Sequence, residues 1–160
     1  MLNILFLCTG NSCRSILGEG LLNHLAGKRF RAFSAGSHPT GNVSLNALAT
    51  LERNGIPATG FTSQFWEEFE DQDIDIAITV CDQAAGEVCP AYLKNVTRAH
   101  WGLPDPAHVQ GTDEEVAKAF QATYEALSDR IKKMLALPVE DMTSAEITAA
   151  LDNIGNMGSP

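Results

Sequence analysis

The sequence predicts an α/β fold, a parallel sheet covered on both faces by helices. Three observations predict it. Short apolar runs with strand character alternate with longer stretches of 3.6-residue periodicity, in the order βαβααβ-β-α. Capping residues stand where the helical stretches begin. No internal repeat or interdomain linker interrupts the alternation.

Asn3–Leu7 reads as a buried strand, four of whose five residues are apolar. Ser15–Ala26 follows as a helix with Ile16, Leu17, Leu21, Leu22 and Leu25 inward. Phe30–Ala35 is a second strand, and Ser44–Asn54 a helix stopped by Gly55. Thr62–Phe69 reads as a short helix capped by Thr62 or Ser63. Ile74–Val80 and Thr97–Trp101 are the third and fourth strands. Thr112-Asp113-Glu114-Glu115 forms a capping box that opens a long helix. Val116, Phe120, Tyr124, Leu127, Ile131 and Leu135 keep to one face of it. Residues 1–138 form the predicted domain. Residues 139–160 are a C-terminal tail with one short helix, signalled by Thr143-Ser144-Ala145-Glu146 and then Ile147 and Leu151. Packed and unpacked positions both remain open for that tail.

At 160 residues the chain can bury roughly 70% of its unfolded surface. A net charge of −9 argues against a nucleic-acid or anionic-membrane partner. Any anion site must therefore be local. The opening apolar run is short and lacks a basic flank, and no stretch is long enough to span a membrane, so a cytoplasmic protein is expected. In that reducing compartment Cys8, Cys13, Cys81 and Cys89 suit catalysis, redox sensing or metal binding better than structural disulfides.

The chemistry concentrates in Cys8-Thr9-Gly10-Asn11-Ser12-Cys13-Arg14-Ser15, a Cys-x5-Arg-Ser run set directly between strand and helix. A turn there aims backbone N–H groups inward, and the helix behind it presents its positive end to an oxyanion. Gly10 is expected to supply backbone freedom. Arg14 offers a planar fork matched to two oxygens of a tetrahedral anion. The same field is expected to lower the Cys8 thiol into the range of about 3.5–7.5. Thiolate and cradle together are machinery for nucleophilic attack on phosphate or arsenate. The competing reading is a turn that merely buries two cysteines. The flanking strand and helix, with Ser15 beside Arg14, favour the anion loop.

With that run, Glu19-Gly20, Phe33-Ser34-Ala35-Gly36, Thr62-Ser63, Thr79-Val80-Cys81 and His100-Trp101-Gly102-Leu103-Pro104-Asp105-Pro106 follow in order and spacing. Over about residues 1–136 the chain resembles the low-molecular-weight protein tyrosine phosphatase family, specifically its thiol-dependent arsenate reductase branch. The resemblance implies a four-stranded sheet of order 2-1-3-4 with sites at the strand carboxyl ends. Strands 1 and 3 are then neighbours, and Cys8 and Cys81 follow them at one edge. It implies that Asp105 is the general acid, although Asp-Pro is also a common turn dipeptide. It further implies a relay in which Cys81 attacks a Cys8–arsenic adduct and Cys89 takes over the disulfide. No bound cofactor is implied. The electron donor would be an external thiol, thioredoxin or glutathione with glutaredoxin.

The alternative is a tyrosine phosphatase of the same family, which shares Cys8, Arg14 and Asp105. Cys13 does not discriminate; packing or an off-path disulfide is its expected role. Cys81 and Cys89, flanking the small polar segment 82–88, favour the reductase, as does Ala107-His108 where phosphatases of the family wall an aryl ring with aromatics. Three departures stand out. The Cys81–Cys89 interval is one residue longer than in the best-known thioredoxin-coupled members. Asn11, Glu19 and Ser34 match a potassium site of some members, but Gln64 replaces its carboxylate. The tail is extra. Structural zinc fits poorly, since the cysteine spacings are loose and Arg14 adjoins Cys13; no metal is expected. His24, His38, His100 and His108 show no ligand spacing.

Overall fold

The computed structural model describes residues 1–81, residue 86 and residues 90–156. Its centre is a four-stranded, all-parallel sheet of β1 (Leu2–Leu7), β2 (Phe30–Ala35), β3 (Ile76–Thr79) and β4 (Thr97–His100), in the order β2-β1-β3-β4. Leu7 pairs with Ala35 on one side and Thr79 on the other, and Thr79 with His100, so all four carboxyl ends share one edge. The α-helices among the described residues are α1 (Arg14–Leu25), α2 (Leu45–Arg53), α3 (Asp113–Leu135) and α4 (Ser144–Asn156).

β1 is central, and its residues from Ile4 to Leu7 are all buried, as a strand covered on both faces requires. Ile4 and Phe6 pack with α1, α2, α3 and α4 through Leu17, Leu51, Ile131 and Leu151. Leu5 and Leu7 face the other way, towards Trp66, Phe69 and Leu93 on the 3-10 turns Trp66–Phe69 and Ala91–Leu93. Ser44 caps α2 by accepting from the Ala47 N–H (3.2 Å), and Gly55 ends it with φ +82. Thr112 and Glu115 form the expected capping box on α3, and Thr143 and Glu146 bond reciprocally at the start of α4.

The segment Thr62–Phe69 differs from expectation. Only Trp66–Phe69 is helical, as a 3-10 turn, and neither Thr62 nor Ser63 caps it. The preceding residues are extended because their polar groups are claimed elsewhere. The Gln64 N–H donates to Asn11 Oδ1 (2.6 Å), Gln64 O accepts from the Gly36 N–H, and Phe65 forms a parallel bridge with Gly36. Tertiary bonds outbid the local helix signal. β3 and β4 are also shorter than the apolar runs that predict them, although the N–H groups of Val80 and Trp101 still reach Leu7 O and Thr79 O just past the strand ends.

α4 lies along β4, the edge strand. Thr148 donates to Arg98 O (2.9 Å), Asp152 accepts from the His100 N–H (2.9 Å), and Leu151 O accepts from Trp101 Nε1 (2.8 Å). The edge groups that would template aggregation are thereby covered. Of the segment between Cys81 and Cys89, 82–85 and 87–88 lie outside the described residues, as does Cys89 itself. No described helix is long and apolar enough to cross a membrane.

Candidate functional site

Residues 8–13 bridge the carboxyl end of β1 and the first turn of α1, and the turn is braced from beneath. Asn11, fully buried, takes φ +44, a left-handed conformation that asparagine tolerates better than most residues. Its Oδ1 accepts from the Gln64 N–H and its Nδ2 donates to Ser15 Oγ (2.9 Å). The expectation for Gly10 needs correcting. Its φ is not positive, and an added Cβ would meet Thr40 Cγ2 at 3.3 Å, so Gly10 serves close packing while Asn11 makes the turn. Gly36, just past β2, is tighter: a Cβ there would lie 2.4 Å from Thr9 O and 2.5 Å from Cys8 O. Thr9 O, Gly10 O and Ser12 O accept from the N–H groups of His38, Thr40 and Ser44, which turns the loop carbonyls outward.

Above the turn lies a cavity of about 200 Å³, lined by Cys8, Cys13, Arg14, Thr40, Asp105 and Ala107 among others. That volume suits a small inorganic anion rather than a drug-sized ligand. Arg14, the first residue of α1, donates from Nη1 to Leu103 O (2.8 Å) and holds Nη2 3.5 Å from Asp105 Oδ2. Its Nε is buried without a hydrogen-bond partner. A buried guanidinium N–H beside a small cavity at a helix N-terminus is a donor awaiting an acceptor. Asp105 Oδ1 accepts from the Ala107 N–H (2.9 Å), and His108 Nε2 stands 3.4 Å from Oδ2.

Cys81 directly follows Val80 at the end of β3, and the shared edge brings its thiol into a hydrogen bond with Cys8. Thr9 Oγ1 lies 3.7 Å from Cys81 Sγ. Both cysteines are almost wholly buried, and both are free thiols. The expected lowering of the Cys8 thiol is opposed here. The bond with Cys81 and burial push it well above the ordinary thiol range, against the downward pull of Arg14 and the Gly10 N–H. Two adjacent buried thiols cannot both ionise, so a thiolate at Cys8 requires Cys81 to stay protonated as its donor. Burial also raises the Cys13 thiol, which caps α1 without a side-chain hydrogen bond to the helix.

Of the potential cation ligands, Ser34 donates to Glu19 Oε1 (2.5 Å), and Asn11 Oδ1 is taken by Gln64. Burial pushes the Glu19 carboxyl up to about 7. With these oxygens already bonded to protein donors and Gln64 where a carboxylate would complete the set, the cluster is a weak match for a hard cation. Sequence reasoning placed Cys8, Arg14, Cys81, Cys89 and Asp105 in one site; the structure brings Cys8, Arg14, Cys81 and Asp105 near one another, and Cys89 lies outside the described residues. It missed Thr40 as a wall and the Leu103 carbonyl as Arg14's anchor, for which no sequence signal exists. The loop constraint at Gly36 was available in principle, as a glycine directly following a strand.

Residues 3–147 match the family described as "Low molecular weight phosphotyrosine protein phosphatase". The chain is 40% identical over 129 residues to an arsenate reductase of Halalkalibacterium halodurans, covering 81% of this chain and 91% of that protein. It is 37% identical over 130 residues to an arsenate reductase of Bacillus subtilis, covering 81% and 92%. Among solved structures, an arsenate reductase in its phosphate-binding state superposes with a TM-score of 0.68 at 26% identity, over 85% of this chain and 98% of that one.

Proposed function

This chain belongs to the low molecular weight phosphotyrosine protein phosphatase family, on its arsenate reductase branch, and from that membership we propose that it reduces arsenate to arsenite. The observation that carries the reading is the Cys8–Cys81 pair. A second buried thiol bonded to the nucleophile has no use in ester hydrolysis, and it is what a disulfide-forming step needs.

Arsenate enters the cavity against Arg14 and the N-terminus of α1. The Cys8 thiolate attacks arsenic, forming an S–As bond, while Asp105 gives a proton to the departing oxygen, which leaves as water. Cys81, deprotonated once Cys8 is engaged, attacks the Cys8 sulfur. The S–S bond forms, the S–As electron pair stays on arsenic, and As(V) becomes As(III) as arsenite departs. Cys89 then attacks the Cys81 sulfur, freeing Cys8 and leaving a Cys81–Cys89 disulfide. An external thiol reductant, either the thioredoxin dithiol or two molecules of glutathione acting with glutaredoxin, supplies two electrons and two protons to restore the thiols. Donors of this kind support a cytoplasmic setting for the reaction.

Cysteine variants test the scheme. Cys8→Ser should lose both arsenate reduction and slow hydrolysis of a small aryl phosphate. Cys81→Ser and Cys89→Ser should keep the hydrolysis and lose multiple-turnover reduction with a thioredoxin donor. Sustained reduction by Cys89→Ser would overturn the three-cysteine relay in favour of a two-cysteine scheme completed by a small thiol.

A further inference from the structure

Arg130, on α3, is only 2% exposed, and neither the cavity nor the cysteine chemistry uses it. Its Nη1 donates to Gly102 O at 3.4 Å. The acceptor is the peptide next to the one Arg14 holds through Leu103 O at 2.8 Å. On the other side of this segment, the N–H groups of Trp101 and Leu103 donate to Thr79 O (2.7 Å) and Val80 O (3.1 Å) at the end of β3. The run that carries Asp105 is thus gripped by β3 through its N–H groups and by two guanidinium groups through consecutive carbonyls.

We propose that Arg130 is a positioning residue for the general acid: by holding Gly102 O it fixes where Asp105 stands over the anion cavity. The inference rests on the reading of Asp105 as that acid. Three features make the position of Asp105 sensitive to this anchor. Pro104 and Pro106 flank it, and their locked φ angles carry an anchor displacement on to the carboxyl rather than absorbing it. Asp105 itself is held at hydrogen-bond distance by the Ala107 N–H, with longer contacts to Arg14 Nη2 (3.5 Å) and His108 Nε2 (3.4 Å), and Ala107 and His108 move with the same loop. Beneath the loop, Leu103 packs on the core, but Leu103, Pro104 and Val109 also line, with Thr123 and Ala126 of α3, a cavity of about 280 Å³, so the packing between loop and helix is incomplete there. Arg130 lies one turn beyond Ala126 and supplies a directional bond on the same side. A buried guanidinium is costly to desolvate, and a methionine of similar reach would fill its volume without that cost.

The test uses the intact chain and two phosphate esters. Phenyl phosphate releases a basic oxygen that needs a proton, whereas 2,4-dinitrophenyl phosphate releases a weakly basic one that does not. In Arg130→Met, kcat for phenyl phosphate should fall about tenfold, part of the 10²–10⁴ that a general acid typically contributes, while kcat for the dinitrophenyl ester stays within about twofold. Asp105→Asn should lower the ratio of the two rates further. Arg130→Lys keeps the cation but not the planar fork, and should lower the ratio by roughly threefold. An Arg130→Met protein that loses both activities equally, or neither, overturns the positioning role while leaving Asp105 in place, provided Asp105→Asn lowers the ratio. Should Arg130→Met fail to fold, an unchanged ratio in Arg130→Lys overturns it. An unchanged ratio in Asp105→Asn overturns the acid assignment and this inference with it.

Discussion

At the scale of single residues, the site is governed by which buried groups carry protons. Cys8 and Cys81 share a hydrogen bond, and Arg14 is the cation that favours a single negative charge in their neighbourhood. Glu19, fifteen residues before its partner Ser34, is the second such group. Its folded carboxyl titrates at about 7 against an ordinary 4.5, so the folded state binds the proton more tightly than the unfolded chain does. That preference contributes fully below the unfolded value and is lost as pH rises through the folded one. Stability should therefore fall between about pH 4.5 and 7, by on the order of 1–3 kcal/mol. Glu19→Gln, uncharged throughout, should flatten that part of the profile and be the more stable protein at pH 8. Urea unfolding at a series of pH values decides it, and a parallel decline in both proteins would count against a buried acid. Exchanging sodium for potassium at equal ionic strength should change the melting temperature little, because Glu19, Ser34 and Asn11 already bond within the protein. Cys8 and Arg14 were legible because their spacing carries chemistry. The left-handed turn at Asn11 was not, because asparagine adopts that conformation only when something like the Gln64 N–H and Ser15 hold its side chain.

At the scale of elements, the loop is shaped less by its own sequence than by the strand ends beside it. β2 ends in Ala35, whose carbonyl receives the Cys8 N–H (3.2 Å), and Gly36 then lets the carbonyls of Cys8 and Thr9 pass where a Cβ would sit. Backbone cannot swing aside as a long side chain can. Gly36→Ala should therefore cost about 1–3 kcal/mol of stability and weaken phosphate binding at least tenfold by lifting the loop. Isothermal titration with inorganic phosphate, beside urea unfolding, checks both; unchanged affinity would show that the loop adapts. The strands and the capped helices α2 and α3 were readable because local periodicity and cap residues agree with tertiary packing there. The helix expected from Thr62 was misread for the opposite reason. Its first residues have good helix-start chemistry, yet Asn11 and Gly36 claim their backbone. The 3-10 turn resumes only at Trp66, whose ring is needed beneath β1.

At the scale of the whole molecule, the proposed function asks a chain of net charge −9 to bind an anion, and the positive potential offered for it is confined to one helix end and one guanidinium. The same molecule is closed on its far side by residues that sequence alone placed in a tail after Pro138. Val139, Ile147, Leu151 and Ile154 are buried in the main core with Trp101. The contact between α4 and β4 is intimate: a Cβ at Gly155 would lie 2.5 Å from His100 O and 2.8 Å from the Trp101 ring. Trp101 opens the run that ends in Asp105, and its indole N–H is bonded to Leu151 O. Deleting residues 139–160 would remove four buried aliphatic side chains whose burial is worth about 1.5–3 kcal/mol each, uncover the core they pack on, and take away the partner of that indole donor. Set against a typical net stability of 5–15 kcal/mol, the loss should leave a protein that is unfolded or melts far below the full chain. Gly155→Ala is the gentler version, expected to shift α4 and lower stability by about 1–3 kcal/mol with Cys8 chemistry otherwise intact. Circular dichroism melts of the two variants test this. A truncated protein with the full-length melting temperature would mean that residues 1–138 carry the fold by themselves, and that α4 only rests against a sheet already complete.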